Sequence, residues 1–391
     1  MGKTLLISNI TIADPTKESI FGDVFLESGK IIEVATSIKT KADKNIDAAG
    51  KGWILVPGFI DIHIHGASGF DVMDATKEAL SGLASALPRE GTTSFLATTM
   101  TQTDRSIGKA LQNASLFTAD DTQAEMLGIH LEGPFISSKR AGAQPIEHIL
   151  PASFSLFKKW QEQSRNRIKI VTLAPEIDNG LTFIKELTTN NIIASLGHTD
   201  ATIEIVGEAV TAGARHVTHL YNQMSPFHHR EPGVVGAAFL ERNLTVEMIV
   251  DLIHSSPKSV ELAFLQKGAS RIILITDAMR AKGLAPGTYD LGGQDVVVTY
   301  RDARLADGTL AGSILTMENA AKNMKLVTDC TLSELVAMTS TNAAIQLGLS
   351  NKGKIESGKD ADLTIIDEEW NVQMTICRGN IAYTKGGQLC R

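Results

Sequence analysis

The middle of the chain alternates short apolar runs with longer segments in which apolar residues recur at a helical spacing. Two of the longer segments, 75–91 (ATKEALSGLASALPREG) and 202–214 (TIEIVGEAVTAGA), predict amphipathic helices. Alternation of strands and helices is typical of a parallel β-sheet. The apolar runs predict eight strands, namely GFIDIHIH (58–65), TSFLATT (93–99), EMLGIHLEG (125–133), IKIVTLAPE (168–176), IIASLGHT (192–199), RHVTHLYN (215–222), LTVEMIVDLIH (244–254) and RIILITDAM (271–279).

Eight such units predict a (β/α)₈ barrel, which commonly takes about 250 residues. A doubly wound open sheet is the alternative, but no GxGxxG motif follows the first predicted strand, so a dinucleotide site has no support. Both ends of the chain show β-rich segments punctuated by Gly, Asp and Asn, which predict a small β-sandwich domain formed by both termini. We expect the small domain at 1–57 and 351–391 and the barrel at 58–350.

Charge and cysteine content exclude several classes of protein. The formal net charge of −7 argues against a general nucleic-acid binder, which usually carries a basic excess. The cysteines Cys330, Cys377 and Cys390 form no CxxC pair, so neither a disulfide framework nor a thiolate zinc site is expected.

No signal-peptide pattern opens the chain, and no apolar stretch reaches the roughly 18 residues of a membrane span. We therefore expect a cytoplasmic protein that does not bind a membrane.

Polar residues end one predicted strand after another. In a β/α barrel the catalytic groups lie at the carboxyl ends of the strands, where distant segments of the chain meet. Imidazole nitrogens and carboxylate oxygens together suit zinc, iron, manganese or cobalt. The candidate ligands are His63, His65, Glu132, His198, His219 and Asp277.

The HxH pair is weak evidence by itself, although His63 and His65 share one strand face about 7 Å apart. The complete set is stronger evidence, because several of the 10 histidines end predicted strands. Neighbouring histidines receive structural interpretations. We expect His130 in the core or behind the ligands, and His216, three residues before His219, on the opposite strand face.

A divalent ion at such a site lowers the pKa of bound water from about 15.7 toward 7. Two ions about 3.5–4 Å apart share a bridging hydroxide, and Glu132 is the candidate bridging carboxylate. Asp277 would take the proton during attack and pass it to the leaving group. The residues thus predict hydrolysis of an amide-like bond, with one or two divalent ions per chain.

The segments that carry this chemistry resemble the amidohydrolase superfamily over nearly the whole chain. The HxH pair with a terminal aspartate marks only the superfamily. HLEGPF (130–135) and SPFHHREPG (225–233) resemble, more narrowly, the deacetylases of N-acetylated amino-sugar phosphates. The other matching segments are PGFIDIHIHG (57–66), SLGHTDA (195–201), HLYNQM (219–224), ITDAM (275–279) and GTLAGSILTM (308–317).

This resemblance implies hydrolysis of the acetamide of N-acetylglucosamine 6-phosphate to glucosamine 6-phosphate and acetate. In the family the Glu of HLEGP and two later histidines hold the main metal, which here are Glu132, His198 and His219. Some members replace the HxH pair and bind one ion, so its presence here favours a second ion. The family's catalytic aspartate corresponds to Asp277.

The resemblance also implies substrate contacts and a homodimer. Arg230 would meet the phosphate through its guanidinium fork, within its own chain or across to the neighbour's site. Many relatives have a GAH motif where this chain has Gln144, whose amide can donate to an oxygen but cannot act as an acid. The implied substrate-binding residues are Ala143, Gln144, Asn222, Gln223, His229, Arg230, His254, Leu310, Ala311 and Gly312.

Two other functions stay open from the sequence. Amidohydrolases of the dihydroorotase type act on cyclic amides, and the binuclear ones often bridge their metals with a carboxylated lysine, where this chain offers Glu132. A non-enzymatic scaffold on the same fold typically loses its ligands, whereas all six ligand positions are present here.

Overall fold

The computed structural model describes residues 3–387, which form two large β-sheets, two small ones and flanking helices. The strands β1 to β21 are Thr4–Ile12, Ile20–Glu27, Lys30–Ala35, Lys44–Asp47, Ile54–Pro57, Phe59–Ile64, Gly66–Ala67, Phe70–Asp71, Thr92–Thr99, Glu125–Glu132, Ile168–Leu173, Ile193–Leu196, His216–Val217, Thr245–Ile249, Ile272–Ile275, Gly287–Leu291, Gln294–Val298, Ala303–Arg304, Leu363–Ile366, Val372–Cys377 and Asn380–Thr384. The helices α1 to α10 are Lys77–Ala86, Asp104–Leu116, Phe154–Gln163, Gly180–Thr189, Ile203–Ala212, Gly233–Leu240, Pro257–Lys267, Met317–Thr328, Leu332–Val336 and Asn342–Gln346.

Eight parallel strands form a barrel in sequential order, from β6 through β9, β10, β11, β12, β13 and β14 to β15. Each predicted apolar run contains one of these strands, and the two predicted helical segments form α1 and α5. The strands are almost wholly buried, because a parallel sheet is covered on both faces, and this explains their continuous apolar runs. The predicted (β/α)₈ fold is confirmed.

The helices begin and end at local signals in the sequence. The hydroxyls of Thr76 and Thr202 accept hydrogen bonds from the first turns of α1 and α5, which satisfies otherwise unpaired N–H groups. Helix α5 ends at Gly213, whose φ of 119° suits a residue without a Cβ. Among residues 3–387, no helix has the length and apolar character needed to cross a bilayer.

The barrel closes where β15 meets β6. The backbone N–H of Asp277 donates to the carbonyl of His63. On the same seam, the fully buried carboxylate of Asp61 accepts a hydrogen bond of 2.6 Å from the hydroxyl of Thr276. This closure brings the HxH pair of the first barrel strand next to Asp277, which follows the last one.

The second large sheet is built from both ends of the chain. Its order is β21-β20-β19-β5-β1-β2-β3, with β4 paired to β1 in addition. Strand β5 joins the two ends, because it pairs in parallel with β1 and antiparallel with β19. The sheet has an apolar core of its own, and a small β domain from both termini is thus confirmed. The boundaries at 57/58 and 350/351 stay a prediction, and Cys390 lies outside the described residues.

A buried lysine connects this sheet to the barrel. The Nζ atom of Lys352 lies 2.8 Å from Oε2 of Glu125 at the start of β10 and 3.1 Å from Oδ2 of Asp360. It also donates a hydrogen bond to Asp362, which is buried just before β19. One ammonium group therefore lies among three carboxylates at the junction.

We predict that Lys352→Met lowers the free energy of unfolding by about 3–5 kcal/mol, because breaking a buried ion pair leaves a buried charge without a partner. Urea denaturation measures the change. Lys30→Met is the matched control, since Lys30 is half exposed and also pairs with Asp360. It should cost at most about 1 kcal/mol. If both variants lost the same free energy of unfolding, the burial of Lys352 would not be the cause of its effect.

Candidate active site

A cavity of about 350 Å³ opens at the carboxyl ends of the barrel strands, a size usual for small-molecule sites. It is lined by residues that end or follow barrel strands and by residues of the segment 287–312, which contains β16–β18 and is called the excursion below. The predicted site residues in its lining are His65, Glu132, Ala143, Gln144, His198, His219, Asn222, Gln223, His254, Asp277, Leu310 and Gly312.

The first group of predicted ligands comes from the two edges of the barrel seam. Nε2 of His63 lies 3.4 Å from Oδ1 of Asp277, and Nε2 of His65 lies 3.2 Å from the same oxygen. Both imidazoles are buried. The two histidines therefore share one strand face, as predicted, and point at one carboxylate oxygen.

The second group combines β10 with the ends of β12 and β13. Nε2 of His198 and Nε2 of His219 lie 3.3 Å and 3.2 Å from Oε1 of Glu132. Glu132 also contacts the first group, since its Oε1 is 3.4 Å from Nε2 of His63 and its Oε2 is 3.3 Å from Nε2 of His65. This carboxylate lies between the two groups, where a bridging ligand would lie.

Three of these residues have backbone conformations that are unfavourable for any residue with a Cβ atom. His198, His219 and Asp277 have φ values of 47°, 31° and 48°, in or near the left-handed region. Each residue lies two positions beyond the last residue of a barrel strand, so the strained turn directs its side chain towards the other ligands. Such strain persists only where surrounding packing holds it, and it is concentrated at functional sites.

The ionisable side chains of the two ligand groups shift one another's pKa values. Burial opposes a charge on His65, but hydrogen bonds and charges from Asp277 and Glu132 outweigh it and raise the pKa of His65 to about 9. Burial alone would also raise the pKa of Glu132 and Asp277, yet the facing imidazoles, first of all His63, hold both values below the ordinary range. Both acids are therefore anions at neutral pH, as cation ligands must be.

The donor set fits a divalent ion of the transition series. Each of the two groups places its ligand atoms within 4.8 Å of one another. Nε2 of His63 is buried without a hydrogen-bond partner, so a metal ion could take the place of a proton on this nitrogen. Nδ1 of His198 lies 2.9 Å from the carbonyl of Arg140, a contact that keeps its other nitrogen for the cavity. Nitrogen and oxygen ligands suit zinc, iron, manganese and cobalt alike.

A second polar layer lies beneath the ligands. His130 bonds to the carbonyl of Ile62 at 3.1 Å and to the Thr172 hydroxyl at 2.7 Å, and burial lowers its pKa to about 3. This agrees with a place behind the ligands. The expectation that His216 and His219 face opposite sides is wrong, because both rings contact buried acids of the barrel strands. The ring of His216 contacts Glu247 of β14, and the ring of His219 contacts Glu132 of β10. Strand β13 has only two residues, and the chain turns before a strand alternation can extend to position 219.

Gln144 contacts a ligand in addition to lining the cavity. Its Nε2 donates to Oε2 of Glu132 at 2.7 Å, and its Oε1 accepts from the N–H of Thr101 at 2.8 Å. The side-chain amide therefore orients the central carboxylate in this structure. A contact between Gln144 and a sugar or carbonyl oxygen stays a prediction.

Of the other residues predicted to contact the substrate, some line the cavity and others do not. His254 lines the cavity, and its Nδ1 lies 2.7 Å from Oδ2 of Asp251, which fixes the ring. Ala311 is fully buried between Leu310 and Gly312 and is not itself in the described lining. His229 and Arg230 are exposed and stay outside the cavity of their own chain.

Several residues of the site were missed by sequence reasoning. Arg304 and Thr309 line the cavity from the excursion. Arg304 stands in no recognisable motif, whereas Thr309 belongs to the matching segment GTLAGSILTM, in which only Leu310, Ala311 and Gly312 were predicted to contact the substrate. Glu247 was missed although the signal was present. It is an acid in the middle of the apolar run TVEMI, and a buried charge inside a strand requires a partner.

Comparison with known proteins agrees with this geometry. The sequence matches the amidohydrolase family over residues 54–382. The N-acetylglucosamine-6-phosphate deacetylase of Bacillus subtilis (strain 168) is 52% identical, with 98% of each chain covered. The enzyme of the same name from Lysinibacillus sphaericus is 49% identical, with 97% of each chain covered.

The fold agrees equally well with a solved structure. The N-acetyl-D-glucosamine-6-phosphate deacetylase of Mycobacterium smegmatis, an aspartate-to-alanine mutant in complex with N-acetyl-D-glucosamine-6-phosphate, superimposes with a TM-score of 0.91. The identity is 30%, and the match covers 98% of this chain and 100% of that one. The chain belongs to the amidohydrolase family, and within it groups with the N-acetylglucosamine-6-phosphate deacetylases.

Proposed function

We propose that this protein hydrolyses the acetamide of N-acetylglucosamine 6-phosphate to glucosamine 6-phosphate and acetate. The observation that carries the proposal is the convergence of four imidazoles and two carboxylates beside a cavity of sugar-binding size. The near full-length identity of 52% to a deacetylase with this substrate in its name supports the choice of substrate.

The cofactor is a divalent metal ion, one or two per chain. Glu132, His198 and His219 would hold the main ion, and His63 and His65 would hold a second. A bound ion of this kind acidifies water and polarises an amide carbonyl. The ligand types do not distinguish zinc, iron, manganese and cobalt.

Asp277 is the group that moves the proton. Its carboxylate is an anion at neutral pH and lines the cavity, so it can accept a proton from the attacking water. Amide hydrolysis also requires a proton on the departing nitrogen, because an amide anion is a poor leaving group. The protonated Asp277 then supplies that proton to the amine.

Residues around the cavity would position the sugar. His254 is fixed by Asp251, while Asn222 and Gln223 contribute amide groups from the loop after β13. Leu310 and Gly312 line the cavity from the excursion. Selectivity among the glucosamine, galactosamine and mannosamine epimers depends on these contacts.

A homodimer accounts for the position of Arg230. The segment around it, from Phe227 to Glu231, is exposed, and Nη1 of Arg230 lies 2.8 Å from Nε2 of His229. A guanidinium on an exposed loop can reach the phosphate of a substrate held by a second chain. We include His229 and Arg230 in the phosphate site on this basis.

We predict that Arg230→Ala raises KM for the phosphorylated sugar about 10–100-fold, because a hydrogen bond to a charged group is worth about 1.5–3 kcal/mol. Steady-state kinetics measures the change. Hybrid dimers of Arg230→Ala chains with Asp277→Asn chains should regain low-KM turnover, since one site then combines an intact Asp277 with an intact partner arginine. If the mixed chains did not regain low-KM turnover, Arg230 would not act on the phosphate in the partner's site.

The assay that decides between the functions compares N-acetylglucosamine 6-phosphate with dihydroorotate, at equal enzyme and metal concentrations. Acetate release from the sugar alone is expected. Turnover of dihydroorotate alone would assign the site to a cyclic amide hydrolase. A protein purified without chelators that carries no metal and turns over neither compound would be a non-enzymatic scaffold. The cytoplasmic location stays a prediction, which cell fractionation tests.

A further inference from the structure

Glu247 is a fully buried acid that the proposed reaction does not use. It lies in the middle of β14, beneath the cavity, and is 0% exposed. An isolated carboxylate would be neutral or strongly destabilising at such a position. Its environment must therefore supply hydrogen-bond donors.

The donors come from both groups of predicted metal ligands. Oε2 of Glu247 lies 2.9 Å from Nδ1 of His63 and accepts a hydrogen bond of 3.3 Å from the backbone N–H of His219. Oε1 lies 3.1 Å from Nε2 of His216. The backbone carbonyl of Glu247 accepts a bond of 2.9 Å from the N–H of Leu220. One residue thus connects β6 to the turn that presents His219.

The hydrogen bond to His63 determines which ring nitrogen can bind a metal. An ionised carboxylate only accepts hydrogen bonds, so Nδ1 of His63 must carry the proton. In a neutral imidazole the lone pair then lies on Nε2. That atom lies 3.4 Å from both Oε1 of Glu132 and Oδ1 of Asp277, where the ligand groups meet.

We propose that Glu247 is a positioning residue that holds His63 in its metal-binding tautomer and fixes His63 and His219 relative to each other. This inference rests on the proposed metal site but not on the identity of the substrate. His216 is the other side-chain partner of the carboxylate, and it donates to Glu247 without belonging to the predicted metal ligands.

The test uses Glu247→Gln in the full chain. A glutamine of equal size offers one acceptor oxygen and one NH₂ group, so it cannot accept from His63 and His216 together. Metal-stripped protein is titrated with Co²⁺ in competition with a chelator, which gives the number of ions and the affinity of each. Loss of an outer hydrogen-bond partner typically weakens metal binding about 10–100-fold, and we expect one ion to weaken by this factor.

His216→Gln is the matched control, because it changes the other partner of Glu247 and leaves the bond to His63. It should change each Co²⁺ affinity less than about threefold, as expected for a residue beyond direct contact with the ligands. Proton NMR of the zinc-loaded protein with ¹⁵N-labelled histidine gives a second readout. A slowly exchanging Nδ1–H resonance of His63, assigned from its absence in His63→Asn, should be present in the wild type and in His216→Gln and lost or shifted in Glu247→Gln.

Unchanged Co²⁺ affinities in Glu247→Gln would overturn the inference, and so would equal losses in the two variants, which would indicate a general role in packing. If Glu247→Gln does not fold, Glu247→Asp replaces it, with a retained charge, a shorter reach and the same expected loss of one ion's affinity. Metal titration and NMR do not depend on acetate release. A failure of the deacetylase proposal alone would leave both readouts intact.

Discussion

Replacement of Asp277 by asparagine should lower kcat by about 10²–10⁴-fold, the usual contribution of general acid–base catalysis. Asparagine retains an oxygen at the position that faces His63 and His65, so the metal content should stay that of the wild type. It cannot accept a proton from water or deliver one to the departing amine. Steady-state acetate release and elemental analysis of the same preparation measure both effects.

Asp104→Asn is the control for this substitution. Asp104 is a partly exposed acid that pairs with Lys159 at the start of α2, and it is not among the cavity-lining residues of the described chain. Its kcat should stay within about twofold of the wild type, as for a surface change away from any special feature. Near-native turnover of Asp277→Asn would refute the proton-transfer role, and a loss of metal in that variant would assign Asp277 to ligation instead.

Removal of metal should lower turnover at least about a thousandfold, because the transition-state stabilisation supplied by such an ion is worth several kcal/mol. The protein is dialysed against a chelator, freed of it, and assayed before and after addition of zinc, manganese, cobalt or, without oxygen, iron. Restoration by one or more of these ions is expected, and the order of restored rates indicates the preferred metal.

Glu132→Ala should not regain activity under the same treatment. Glu132 is the carboxylate that contacts His63, His65, His198 and His219, so its removal affects both groups of ligands at once. Circular dichroism and thermal unfolding of the metal-free forms distinguish this loss from misfolding. Full activity of metal-stripped wild-type protein would contradict the whole assignment of the site.

The barrel was predictable because its signal is local. Each parallel strand is covered on both faces and therefore appears as a continuous apolar run. Once eight runs alternate with helices, the topology brings the ends of the strands together at one mouth. The histidines and acids at those ends, such as His198 and Asp277, could then be grouped without knowledge of any distance.

The positions of other residues depended on backbone turns that no periodicity describes. His216 was placed on the wrong face because β13 has two residues and the chain bends at His219. Arg304 lines the cavity from β18, in a three-stranded sheet that is separate from the barrel sheet. Nothing near it in the sequence indicates that fold.

The sequence by itself determined the fold class, the chemical nature of the site and the residues that end the barrel strands. Buried strands and their ends can be predicted locally, because they appear as apolar runs followed by polar residues. Only the tertiary structure decided the partners of those residues. Glu247 beneath His63, Gln144 against Glu132 and the exposed Arg230 each depend on atoms that are far apart in the chain. Such contacts are set by strand register and loop conformation, which are properties of the packed molecule.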